Sequence, residues 1–139
     1  MTDGPPLAYV FDIHPLISYA RSDSLFVPSL VATSVERNQY IAVSTVTLAH
    51  AYRELSEDEA LVLDMLSGGH LATAFVMKPL DAPAARRIGR QARHLGRMPS
   101  PPSLSTLHTA EVAKHDVATV VTGDRETVRS LLGSDWPIL

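Results

Sequence analysis

Asp12 closes the apolar run LAYVFDI (residues 7–13), and Asp124 follows the apolar run VATVVTG (117–123). If both runs are strands of one sheet pointing the same way, their two carboxylates arrive at the same edge. Carboxylates so placed can hold a hard divalent cation, which prefers oxygen ligands. A cation held there polarises a phosphate and lowers the pKa of an attacking water. Acids also end strands as turn formers and helix caps, and the spacing leaves both readings open. His14, His50 and His108 add imidazole nitrogens, which with Asp12 and Asp124 make a mixed set suited to zinc, manganese or nickel. Strand alternation sends Asp12 and His14 to opposite faces, so only a turn at the strand end brings both to one ion. The other reading of His50 is a hydrogen-bonded histidine at the edge of a cleft, and His70, after two glycines, reads as a loop residue.

A second chemistry is carried by arginine. Arg86, Arg90, Arg93 and Arg97 recur every three or four residues and form one stripe along a helix, with Ala85, Ile88, Ala92 and Leu95 as the expected core stripe. Arginine meets phosphates bidentately, so the stripe could face RNA. An ordinary solvated helix face gives the same pattern, and no aromatic platform flanks it for stacking bases. The chain has no cysteine, which excludes disulfides, thiolate zinc sites and cysteine nucleophiles. No serine sits in a Gly-x-Ser-x-Gly elbow.

The elements that must position these residues alternate along the chain. Strands are expected at 7–13, 39–44, 72–79 and 117–123, with WPIL (136–139) as a final edge strand. Between them the pattern predicts helices at 15–22 and 24–38, the second continuing the first, and at 45–55, 56–69, 81–96, 104–116 and 124–133. Ser44 or Thr45 can cap the helix that carries His50. The segment 56–69 has a serine cap, acids in its first turn and glycines at its end. The three prolines of RMPSPPS (97–103) demand a loop. Near-continuous apolar strands separated by helices imply a mainly parallel sheet covered on both faces, an α/β domain of three layers. In such sheets a site forms at the carboxyl ends of the strands, near a topological switch point.

Composition bounds the rest. A chain of 139 residues, 45% apolar and 19% charged, suits one globular domain, expected over 1–139 with residues 1–6 loose. A net charge of -3 gives no global drive toward nucleic acid or anionic membrane, so any such contact needs a local patch. No basic region precedes an apolar run at the start, and no stretch approaches the ~20 apolar residues of a membrane helix. The expectation is a cytoplasmic protein without membrane contact.

The order of segments, with HDVATVVTGDRETVRSL (115–131) as its most specific piece and TLAHAYREL (47–55) next, resembles the PIN domain, and within it the small VapC-type ribonuclease toxins. The resemblance runs from about Leu7 to Leu132. It implies a three-layer α/β/α fold and RNA cleavage assisted by Mg2+ or Mn2+. It also implies an antitoxin-like small protein whose tail lies in the active-site groove, and a homodimer. Helical segments 24–38 and 56–69 are candidates for a partner or dimer face. The resemblance implies acids at four places, of which Asp12 and Asp124 are present. His50 stands where it implies a glutamate, Thr106 where it implies an aspartate, and His14 where a small polar residue is usual. Replacing two acids in this way removes two negative charges, and Mg2+ favours oxygen over imidazole. The expectation is a degenerate site whose metal-dependent ribonuclease activity is lost or weak.

Overall fold

The structure is a computed structural model that describes residues 7–68, 74–95 and 101–139. Arg97, His70, the N-terminal residues 1–6, and the beginnings of the loop at 97–103 and the strand at 72–79 lie outside these residues. The elements follow in the order β1 (Leu7–Phe11), α1 (Ile13–Arg21), α2 (Phe26–Glu36), β2 (Tyr40–Ser44), α3 (Thr45–Glu54) and α4 (Glu57–Gly68). They continue as β3 (Phe75–Lys78), α5 (Ala82–Leu95), α6 (Leu104–Asp116), β4 (Thr119–Val121) and α7 (Arg125–Leu132).

The strands form one sheet in the order β3-β2-β1-β4, and every pairing is parallel. Parallel strands must be covered on both faces, and the side chains divide accordingly. Phe11, Ile41, Val43, Phe75 and Val121 join a core with helices α1 to α4, where the Phe11 and Phe75 rings meet edge to face at 6.2 Å. Val10, Ala42 and Val120, one residue out of step, face α6 and α7 on the other side. A third cluster of Ile88, Leu107, Ala110 and Leu131 locks α5 onto α6 and α7. The chain builds β2 and β3 to one side of β1 and then crosses to place β4 on the other. The switch point therefore lies between the carboxyl ends of β1 and β4, with Asp12 directly after β1 and Asp124 three residues after β4.

Local chemistry sets the boundaries. Ser44 caps α3 by accepting from the N–H groups of Val46 (3.1 Å) and Thr47 (3.4 Å). Ser56 and Glu59 exchange hydrogen bonds at the start of α4, a capping box. Asp81 caps α5 through Ala84 N–H at 2.9 Å.

Four expectations change. The helix predicted to continue through 24–38 is separate from α1. Ser22 adopts a left-handed conformation (φ 54°) and its N–H closes α1 onto Ser18 and Tyr19, so α2 starts afresh at Phe26. The strand predicted from 117 begins at Thr119, because Val117 is the left-handed cap (φ 52°) of α6. On α5 the buried positions are Ala84 and Ile88, with Ala92 and Leu95 packed beside them, while Ala85 is exposed. Three of the four expected positions hold, and Ala84 takes the place of Ala85. WPIL forms a single parallel bridge, Ile138 to Val120, at the free edge of β4 instead of a strand.

Candidate functional site

Asp12 is the N-cap position of α1, yet its side chain makes no capping bond. The carboxylate points inward, 1% exposed, where an unpaired charge would be costly. Thr122, the residue after β4, donates its hydroxyl proton to Asp12 Oδ2 at 2.9 Å. Thr106 on α6 donates at 3.3 Å, a longer and weaker bond. The Thr122 oxygen also accepts from Asp124 N–H at 3.0 Å, so one hydroxyl joins the two acids across the switch point.

Asp124 itself faces the other way. It caps α7, accepting from Thr127 N–H at 3.2 Å and from the Thr127 hydroxyl at 2.6 Å. These bonds, with a smaller contribution from the nearby His14, hold its carboxyl below the usual range. His14 lies in the first turn of α1, with its ring against Gly123, where a methyl group would collide with it. The turn at the end of β1 thus carries His14 to Asp124.

From Thr106 a line of hydroxyls runs outward. The Ser103 hydroxyl donates to Thr106 Oγ1 at 3.1 Å, Ser105 Oγ lies 3.0 Å from Ser103 Oγ, and His50 Nδ1 lies 3.2 Å from Ser105 Oγ. Each hydroxyl has one proton, and the Asp12 carboxylate can only accept. Thr106 spends its proton on Asp12 and Ser103 spends its own on Thr106. Ser105 therefore donates to Ser103, and His50 must present Nδ1–H to Ser105. His50 Nε2 faces Glu54 at 3.8 Å and the solvent. His50 and Thr106, the two residues that stand where the resemblance implies further acids, are thus connected to Asp12 by a one-way chain of hydrogen bonds.

Among the described residues no three His, Asp or Glu side chains come together in a way that could hold a metal ion. The donor set does not fit Mg2+ or Mn2+. Asp12 is sealed by threonines, Asp124 is tied into a cap, and His50 is turned toward Ser105. The mixed set of Asp12, His14, His50, Asp124 and His108 is also divided. His108, 1% exposed, lies in a separate bond of 2.5 Å between its Nδ1 and Ser44 Oγ. Ser44 already accepts from two N–H groups, so it donates to His108 and the neutral ring carries its proton on Nε2. Burial holds the His108 pKa low, against smaller opposing pulls from Glu111 and Asp81.

Arg86, Arg90 and Arg93 are exposed along α5 and make no ion pair among the described residues, while the neighbouring Arg87 pairs with Glu111 of α6. Ser103 and Ser105 were not singled out by sequence reasoning, and Thr122 entered it only as the neighbour of Asp124 in Thr122-Gly123-Asp124. A serine between the prolines and an apolar helix is a cap signal that points to Ser103. Nothing local marks Thr122 as the hydroxyl that serves both acids.

No protein-family model matches the chain, and no curated protein sequence matches it. Its fold matches solved structures. VapBC2 from Rickettsia felis, bound to a DNA fragment from its promoter, superposes with a TM-score of 0.69 at 14% identity, covering 96% of this chain and 98% of that one. FitAB bound to the IR36 DNA fragment gives 0.62 at 14% identity, covering 94% and 93%. FitAcB from Neisseria gonorrhoeae gives 0.64 at 18% identity, covering 94% and 96%. With its sheet order, its two helical layers and this match over nearly the full length, the chain has the PIN-like fold of VapC-type proteins.

Proposed function

We propose that this protein is a relative of the VapC-type ribonucleases in which metal-dependent RNA cleavage is lost or weak. One observation carries the reading. The carboxylate at the end of β1 is buried and satisfied by two threonine hydroxyls, where a metal site would leave it open toward further acids. If residual cleavage exists, Asp12 and Asp124 are its acids and the metal is Mg2+ or Mn2+, with His50 and Thr106 occupying the vacated positions.

Calorimetric titration of Mn2+ and Mg2+ tests this, with the parent beside the double variant His50→Glu, Thr106→Asp. The parent should give no binding heat, and the variant should bind Mn2+ and gain cleavage of single-stranded RNA. Metal-dependent cleavage by the parent, abolished by Asp12→Asn, would overturn the reading.

The second reading is a binding module, supported by two of the fold matches, VapBC2 and FitAB, which were solved bound to DNA fragments. Its partner would be an antitoxin-like small protein, with a homodimer as the assembly. Leu25 and Phe26 at the start of α2, and Leu61 and Met65 on α4, are exposed apolar residues available to such a partner. Co-purification with the product of an adjacent small gene would support this reading. A monomer that recovers neither partner nor RNA would count against it.

A further inference from the structure

Lys78 ends β3, at the edge of the sheet opposite β4, and Asp81 caps α5 just after it. The turn between them, the start of α5 and the second half of α6 enclose a cavity of about 190 Å3. Most of its polar groups already have partners. Lys78 pairs with Asp116 at 3.2 Å, and Arg87 pairs with Glu111. Two groups keep spare capacity. Asp81 Oδ1 accepts from the Ala84 N–H, but its carboxylate makes no ion pair among the described residues. His108 carries its proton on Nε2, and no acceptor for it stands among the described residues. That atom is not sealed in, since Ser34 Oγ is the one described side-chain atom fully buried without a partner. A ring only 1% exposed therefore opens its Nε2–H onto the cavity that it lines.

We propose that this cavity binds a small free α-amino acid, with the ammonium toward Asp81 and the carboxylate toward His108 and Lys78. The lining selects against simple ions. Three carboxylates oppose two fixed cations, so with neutral His115 the cavity carries one net negative charge and disfavours an anion. A cation would suit Asp81 but would leave the Nε2–H of His108 facing positive charge, without an acceptor. A molecule with both charges satisfies both groups. Its carboxylate takes the Nε2–H together with N–H groups that Lys78 and Arg87 do not spend on Asp116 and Glu111.

Volume and wall chemistry limit the rest of the ligand. The cavity has the volume of roughly six water molecules, which is room for a short side chain and no more. Pro79, Ala84 and Val112 supply apolar wall, so that side chain is apolar. No residue of the β1–β4 switch point lines the cavity, and the proposal stands whether or not metal-dependent cleavage is lost.

The test uses the full chain, labelled with nitrogen-15, near neutral pH. The His108 Nε2 resonance is followed during titration with L-alanine and L-valine, and with acetate and methylammonium, which carry one charge each. Ligands of so few atoms bind weakly, and dissociation constants of roughly 0.1–10 mM are expected for the amino acids. Acetate and methylammonium should each bind at least about tenfold more weakly than L-alanine, since each satisfies one of the two groups. Asp81→Asn removes the charge and keeps the fold, because asparagine caps a helix as well as aspartate does. It should weaken L-alanine binding at least about fivefold, while Glu36→Gln on α2 should change it by less than about twofold. Saturable shifts with either amino acid, weakened in Asp81→Asn, support the proposal. No saturable shift from either one up to about 50 mM means that the cavity holds water only, and overturns it. Acetate or methylammonium binding as tightly as L-alanine overturns it too, as does equal affinity of the parent and Asp81→Asn.

Discussion

Thr122 does more at the switch point than either acid beside it. Its hydroxyl donates to the buried Asp12 and accepts from Asp124 N–H, so it fixes the end of β4 against the end of β1. Thr122→Val keeps the shape and removes both bonds, leaving Asp12 with only the long bond from Thr106. A hydrogen bond to a charged group contributes about 1.5–3 kcal/mol, so Thr122→Val should lower stability in urea denaturation by about 2 kcal/mol or more. Thr122→Ser, which keeps the hydroxyl, should retain most of it. Equal losses for the two variants would mean that the methyl group matters and the hydroxyl does not. His108 makes a pH-dependent contribution of definite sign. Its folded pKa lies below the ordinary 6.5, so between those two values the unfolded chain binds more protons. Its contribution is complete above about pH 6.5 and declines as pH falls toward the lowered folded pKa. The urea midpoint of the parent should therefore drop between pH 7.5 and pH 5.5, and by less in His108→Asn, whose amide oxygen can still accept from Ser44.

At the scale of the element, the helix ends show both good and poor local agreement. The Ser56–Glu59 box satisfies first-turn donors of α4. Ser56→Ala should cost about 1 kcal/mol, read as a lower thermal midpoint. The other end of α6 is a conflict. Val117 is β-branched, 78% exposed and held at φ 52°, a conformation that disfavours it and suits asparagine. Because so little of Val117 is packed, Val117→Asn should raise stability by about 1 kcal/mol. A lower denaturation midpoint for this variant would show that the valine makes packing contacts worth more than its strain.

Across the whole molecule, the buried side chains form one large cluster beneath α1 to α4 and two smaller ones on the other side of the sheet. The cluster beneath α1 to α4 holds the fully buried Leu16, Ile41, Val43 and Leu63, whereas the α5–α6–α7 cluster is small. Leu16→Ala should cost about 3–5 kcal/mol, a large share of the 5–15 kcal/mol typical of a domain. Leu131→Ala, 7% exposed in the smaller cluster, should cost about 2–3 kcal/mol. Urea denaturation of the two variants checks the order. If Leu131→Ala proves the more damaging, the third cluster carries more of the fold than its size indicates. No helix among the described residues is long and apolar enough to cross a membrane.

The sequence by itself determined the alternation of strands and helices, the parallel sheet and the placing of Asp12 and Asp124 at strand ends. These follow from periodicity, caps and turn residues, which act within a few positions of one another. It did not determine the break between α1 and α2, since the left-handed Ser22 is a residue with no strong preference for that conformation. Nor did it determine that α5 buries Ala84 instead of Ala85 beside Ile88, Ala92 and Leu95, because neighbouring alanines are equally acceptable at the margin of the stripe. Only the tertiary structure decided what the acids do. Asp12 meets Thr106 and Thr122 across 94 and 110 residues, and His50 meets Ser105 across 55. Hydroxyl partners this far apart leave no periodic trace, since any serine or threonine is acceptable to its own helix or strand. The positions of the acids were legible one element at a time, and their burial, capping and connection to His50 required the sheet to be assembled.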